Sequence, residues 1–284
     1  MTFLNNNLLF VSNIGYGMYT TPTFDFLGKV ESLSNAMIFP INVEEELTDI
    51  EEVTSGDGVS CFISHESTKI GGENYISFYK NCDLYQGIGT YIKLPEEISM
   101  LPKNQGIEAL AISNNGNIVA IEEFGLDKIY HRMWIWNIRN QDYALKTLLY
   151  QTDYYVGVSS ATFLQDNSLL IVERKTINSL NKLDKTDYQI TVNQILSSEL
   201  YESSGYIVTK QEIIALKNDG KNIASLSENI EAITIKSDLA KVDIFLLSDD
   251  QSLNRTVFLQ FEFTFDNCGI NLNGTKTSII HDEI

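Results

Sequence analysis

The stretch NQGIEALAISNNGNIVAIEE, residues 104–123, decides the reading of the fold. Two apolar runs, IEALAI and NIVAIEE, flank NNGN, and an Asn-Gly pair between apolar runs is a strong hairpin signal. Both faces of each run are largely apolar, as in strands covered by a sheet on either side. Yet the hairpin opens on a carboxylate, Glu108, and closes on two more, Glu122 and Glu123. A bare carboxylate is costly to bury without a partner. These acids therefore either cap strands in solvent or face something that wants negative charge.

The same pattern recurs. DIEEVTSGDGVSCFISHES (49–67) has an acid-led strand with Glu51, a Gly-Asp-Gly turn, a second apolar strand and a terminal Glu66. NIEAITIKSDLAKVDIFLLSDD (229–250) carries Glu231 and ends on Ser248-Asp249-Asp250. GVSSATFLQDNSLLIVERK (157–175) has Ser159 near the leading acid's place and keeps Glu173 after its second strand. FLNNNLLFVSNIG (3–15) matches only the back half of the unit, with Asn13 where an acid would stand. The repeat spacing is close to that of a propeller blade, roughly 40–50 residues. Further strand-like segments follow each hairpin (NYISFYKN, RMWIWNI, DYQITVNQIL, RTVFLQFEFTF), and a blade needs four short strands. The expectation is one all-β domain over residues 1–284, a β-propeller of five or six blades of antiparallel strands with a shortened amino-terminal blade.

In a hairpin the first residue of strand one lies across from the last residue of strand two. Glu108 is then expected to meet Glu122 or Glu123, Glu51 to meet Glu66, and Glu231 to meet Asp249. If these hairpins are the innermost strands, their open ends ring one mouth of the channel with acid.

The ordered phrases 49–67, 104–123, 157–175 and 229–251 resemble the phytase-like esterase propellers ("esterase-like activity of phytase") over most of the chain from Asp49 to Phe265. The resemblance implies a mostly bacterial, exported family linked by name to phosphoester hydrolysis. It implies that Glu51, Glu66, Glu108, Glu122, Glu173, Glu231 and Asp249 build the site, with Arg174 beside it. Departures from the family pattern are Asn13, the short first unit and Asp250-Gln251.

Several carboxylates aimed at one point need protons or a cation, and hard oxygen donors suit calcium. A divalent ion would polarise a phosphoryl oxygen and supply hydroxide. Glu108 and Glu231 are the candidate catalytic acids. Arg174 would hold phosphate or, equally, form a structural ion pair. His65, at the crown end of its hairpin, is a candidate general base, against a solvated strand-end histidine. The expected substrate is a small phosphorylated or ester compound. The other reading is a calcium-stabilised propeller that binds a ligand or protein without catalysis.

The formal charge of −18 argues against binding a nucleic-acid backbone. No segment is long and apolar enough to span a membrane, and the start lacks the basic region and cleavage site of a signal peptide. A monomer is expected. Cys61, Cys82 and Cys268 contain no CxxC pair, which excludes the usual zinc and redox motifs. Their wide separation and odd number give no sign of a disulfide, and Cys61 reads as a small core residue. No GxSxG elbow or phosphate-binding loop is present.

Overall fold

A computed structural model describes residues 1–12, 15–25, 29–42, 48–67, 73–92, 94–101, 106–125, 127–138, 146–178, 186–216, 229–237, 241–249, 256–266 and 269–282. Its strands form five antiparallel sheets of four, each built from consecutive strands. Blade one holds β1 (Thr2–Leu4), β2 (Asn7–Val11), β3 (Tyr16–Phe24) and β4 (Val30–Pro40). Blade two holds β5 (Thr48–Thr54), β6 (Cys61–Ser67), β7 (Tyr75–Tyr79) and β8 (Thr90–Ile92). Blade three holds β9 (Ile107–Ile112), β10 (Asn117–Glu122), β11 (Tyr130–Asn137) and β12 (Lys146–Gln151). Blade four holds β13 (Val156–Phe163), β14 (Leu169–Asn178), β15 (Thr186–Ile195) and β16 (Gln211–Leu216). Blade five holds β17 (Asn229–Ser237), β18 (Lys241–Asp249), β19 (Thr256–Asp266) and β20 (Gly269–Asp282). The molecule is a five-bladed β-propeller, and its first blade has all four strands.

Apolar side chains on both faces of these strands find partners in the neighbouring blades, and every blade-to-blade interface has its own buried cluster. Val119, Ile121 and Met133 of blade three pack with Ala161, Leu169 and Ile171 of blade four. The seam between blades one and five is closed by Met1, Leu8, Phe10 and Val30 against Phe245 and Phe258. No strand is shared across that seam. Phe3 instead packs edge-on against Phe245 at 5.2 Å, and Gln260 accepts the Val30 N–H at 2.9 Å.

The Asn-Gly hairpin forms with a three-residue turn. Ser113 pairs with Asn117, the Gly116 N–H donates to Ser113 O at 2.9 Å, and Gly116 sits at φ 82°. Blade four repeats this turn with Asn167 in the left-handed position at φ 63°, where asparagine is among the better-tolerated side chains. The expectation for the cysteines is corrected. Cys61 of β6 and Cys82, in the turn after β7, are both buried and form a disulfide. Cys268 lies outside the described residues.

One irregularity decides where the acids go. The innermost strand pair slips register near its open end in blades two to five. The unpaired residues are Glu51 with Glu52, then Glu108, Ser159 and Glu231. A β-bulge locally disrupts the ladder and re-aims a side chain. Here it interrupts strands otherwise given to the core and brings Glu51, Glu108 and Glu231 to one mouth, while Ser159 stays buried and donates to Ile230 O of blade five at 3.0 Å.

Candidate metal centre

Asp49 pairs with Glu66 across β5 and β6. With the bulged Glu51 they offer carboxylate oxygens that all lie within 4.8 Å of one another. These three residues could bind a cation. Glu66 is buried and accepts the Gly106 N–H at 2.8 Å. Only a glycine fits there without a shift, because a Cβ on Gly106 would stand 2.9 Å from Glu66 Oε1.

Glu108 extends the group from blade three. Its carboxyl is hydrogen-bonded to that of Glu51, a contact that requires a proton between them. Burial, then the charges of Glu66 and Asp49, push Glu51 up to about 8. Burial, then Glu51, Glu123 and Glu66, push Glu108 well above the carboxylate range, and Arg174 offsets this only in part. Two acids held up in this way mark negative charge that the protein's own cations leave uncompensated.

The rest of the mouth is compensated. Arg174, from β14, donates through Nη2 to Glu123 Oε1 at 2.8 Å and through Nη1 to Asn229 Oδ1 at 2.6 Å and to Glu231. Asn229 also donates to Glu231. Burial works against the charge on Arg174, but Glu231, Glu123 and Glu108 outweigh it. The mouth therefore has two parts drawn from four blades. One is the Arg174 bridge with Glu123 and Glu231; the other is Asp49, Glu51, Glu66 and Glu108.

Glu51, Glu66, Glu108, Glu231 and Arg174 of the sequence-derived set are brought to this mouth. Glu122 is not. It is buried against β11, where Arg132 holds it with its backbone N–H at 2.6 Å and its guanidinium at 2.6 and 2.9 Å. Glu173 faces away from the mouth into a lateral cleft, accepting from Tyr150 at 2.6 Å, Thr191 at 3.0 Å and Lys210. His65 is buried and stacked on Tyr75 at a centroid distance of 4.3 Å, and burial drops its pKa to about 3, which makes it a weak base. Asp249 stands opposite Asn229 in the ladder, not opposite Glu231. Its side chain, that of His281, and Asn13 and Asp250 lie outside the described residues.

Sequence reasoning missed Asp49 and Asn229 and left Glu123 as an alternative. A signal for the first two exists. Asp49, Gly106, Gly157 and Asn229 each stand two residues before the bulged position, in the phrases DIE, GIE, GVS and NIE. That place meets the mouth in every repeat, and it is acid, amide or glycine as space allows.

Below the mouth, Glu52 is fully buried and receives Ser160 Oγ of blade four, while the Met1 nitrogen lies 2.8 Å from its Oε1. At the opposite end, residues of the innermost hairpins of all five blades, such as Thr2, Ser55, Asn114, Gln165 and Thr234, line a cavity of about 190 Å³. The residues lining that cavity are uncharged.

Among the described residues, no helix is long and apolar enough to cross a membrane. No curated protein matches the chain. It is similar in structure to an α-L-arabinanase of Cellvibrio cellulosa complexed with arabinohexaose, with 7% identity, 97% of this chain and 95% of that one covered, and a TM-score of 0.47. It is similar also to a thermostable family-43 glycoside hydrolase (11% identity, 78% and 73% covered, TM-score 0.49). A third similar structure is a lignostilbene dioxygenase of Pseudomonas brassicacearum (9% identity, 91% and 60% covered, TM-score 0.45). The phytase-like family described as "Esterase-like activity of phytase" matches residues 28–252, and with the acid-bulged propeller around that match the chain belongs to this family.

Proposed function

We propose that the acidic mouth binds a divalent cation, calcium by its donor set, and hydrolyses a small ester, with phosphomonoesters the first class to test. The observation that carries this is the close set of Asp49, Glu51 and Glu66 oxygens, with the Glu108 carboxyl beside it. Carboxylate oxygens fit calcium, which takes six to eight oxygen donors. Asp49, Glu51, Glu66 and Glu108 would hold the ion. When bound, it supplies Lewis acidity toward a phosphoryl or acyl oxygen. Arg174 keeps Glu123 and Glu231 in place and, with Glu231, forms the wall against which substrate would lie.

The test is thermal unfolding of metal-stripped protein with and without calcium, followed by turnover of p-nitrophenyl phosphate and p-nitrophenyl acetate. A ligand that binds only the folded state raises the midpoint. The expected outcome is a calcium-dependent rise and calcium-dependent turnover, both lost in Glu108→Gln while the variant stays folded. A wild type that does not respond to calcium would remove the metal reading.

The second reading is a propeller that binds calcium or a ligand without catalysis. It is favoured by Arg174, whose two terminal nitrogens are already engaged by the chain's own Glu123, Asn229 and Glu231. It predicts the calcium-dependent rise with no turnover of either ester.

A further inference from the structure

The interface between blades three and four is apolar through most of its depth, then opens into a lateral cleft of about 570 Å³. That volume is in the range of small-molecule sites. One wall is a face of blade four: Glu173 and Lys175 on β14, paired with Thr191 and Gln189 on β15, with Asn193 beyond. The other wall is the end of β12 and the residues after it, Gln151 to Asp153.

The cleft is held open by construction. Residues 206–208, from the β15–β16 connection, cross to blade three and add a parallel bridge to β12, with Leu149 N–H donating to Tyr206 O at 2.6 Å and Val208 N–H to Leu149 O at 3.0 Å. Lys146 anchors the same connection by donating to Leu200 O at 2.9 Å and Ser203 O at 3.2 Å. This strap brings Lys210 over the Tyr150 ring, 4.6 Å from its centroid, and onto Glu173. Tyr150 is fully buried, and it and Thr191 hold the Glu173 carboxylate in a single orientation.

The lining chemistry selects the ligand. Lys210 is paired with Glu173, and the lining sets Lys175 against two further acids, Asp153 and Glu212, so the cleft has no surplus of positive charge for an anion. The Thr152 and Thr191 hydroxyls are bonded within the chain. What the cleft presents is side-chain amides (Gln151, Gln189, Asn193), which donate and accept together. Vicinal hydroxyls on a sugar ring do the same. Val156 and Val208 form the apolar part of the cleft lining. We infer that the cleft between blades three and four is a second binding site, separate from the acidic mouth, for an uncharged polyhydroxylated ligand such as a short oligosaccharide.

The experiment is saturation-transfer NMR and calorimetry on the full chain in EDTA, with maltotriose, cellotriose and chitotriose as probes. Binding of at least one is expected without any divalent ion. It should weaken about tenfold in Gln189→Ala and in Asn193→Ala, the loss of roughly one well-made hydrogen bond. Melting curves check that both variants are folded. If either is not, Gln151→Ala on the opposite wall takes its place. No transfer to any of the three sugars, or binding untouched by these substitutions, would overturn the proposal. Binding of inorganic phosphate at this cleft, displaced by none of the sugars, would overturn the assignment of ligand class.

Discussion

At the scale of single residues, the mouth sets a competition between protons and a cation. Glu51 is held up to about 8 against an ordinary value near 4.5. Between those pH values the folded protein keeps a proton that the unfolded chain releases, so stability falls as pH rises through that window. Metal-free protein should therefore melt at a lower temperature at pH 8 than at pH 5. The midpoint rise on adding calcium should be small at pH 5 and large at pH 8, read from melting curves at both. A calcium effect that ignores pH would place the ion away from Glu51. Arg174 belongs to the same scale. Arg174→Ala removes the cation between Glu123 and Glu231 and should cost about 3 kcal/mol in urea unfolding. Lysine at this position should not restore the loss, because a point charge cannot bridge two carboxylates and an amide as a planar fork does.

At the scale of elements, the hairpins were legible because their apolar runs and turn residues agree. IEALAI-SNNG-NIVAIE states two strands and a turn in local terms, and the structure follows it. The bulges were not legible. A slip of one residue depends on how two strands and the neighbouring blade are satisfied together, and nothing in the phrase GIEAL announces it. That is why Glu108 was expected opposite Glu122 or Glu123, whereas Glu122 pairs with Ile107 and turns to Arg132, a residue of the next strand. Glu173 was misplaced for a related reason. Its partners Tyr150 and Lys210 come from another blade and from a strap that no local pattern foretells. The disulfide escaped notice because Cys82 sits in a turn with left-handed backbone at φ 50°, where periodicity gives no register. The turn of blade two is tightly fitted at the end away from the acidic mouth. A Cβ at Gly56 would lie 2.6 Å from the backbone oxygen of Ser113 in the next blade. Gly56→Ala should cost about 1–3 kcal/mol in denaturant unfolding and leave calcium binding at the far end intact.

At the scale of the whole molecule, the ring is a cycle of five interfaces of which only the seam lacks a covalent connection between its blades. Phe245 is fully buried there, edge-on to Phe3 and stacked on Phe258 at 5.5 Å. Phe245→Ala should destabilise by about 3–5 kcal/mol in equilibrium unfolding; a loss under 1 kcal/mol would mean that the seam contributes little to closure. The seam has another implication. Since every blade is made of four consecutive strands and no strand ladder joins the last to the first, the order of blades in space is independent of where the chain is cut. A circularly permuted gene that tethers Asp282 to Met1 by a flexible linker, and opens instead between blades three and four, encodes the same cycle of blades, with an amide in place of the Met1 ammonium beside Glu52. The blades would then be synthesised in a different sequence, and which interface assembles last would become a matter of choice.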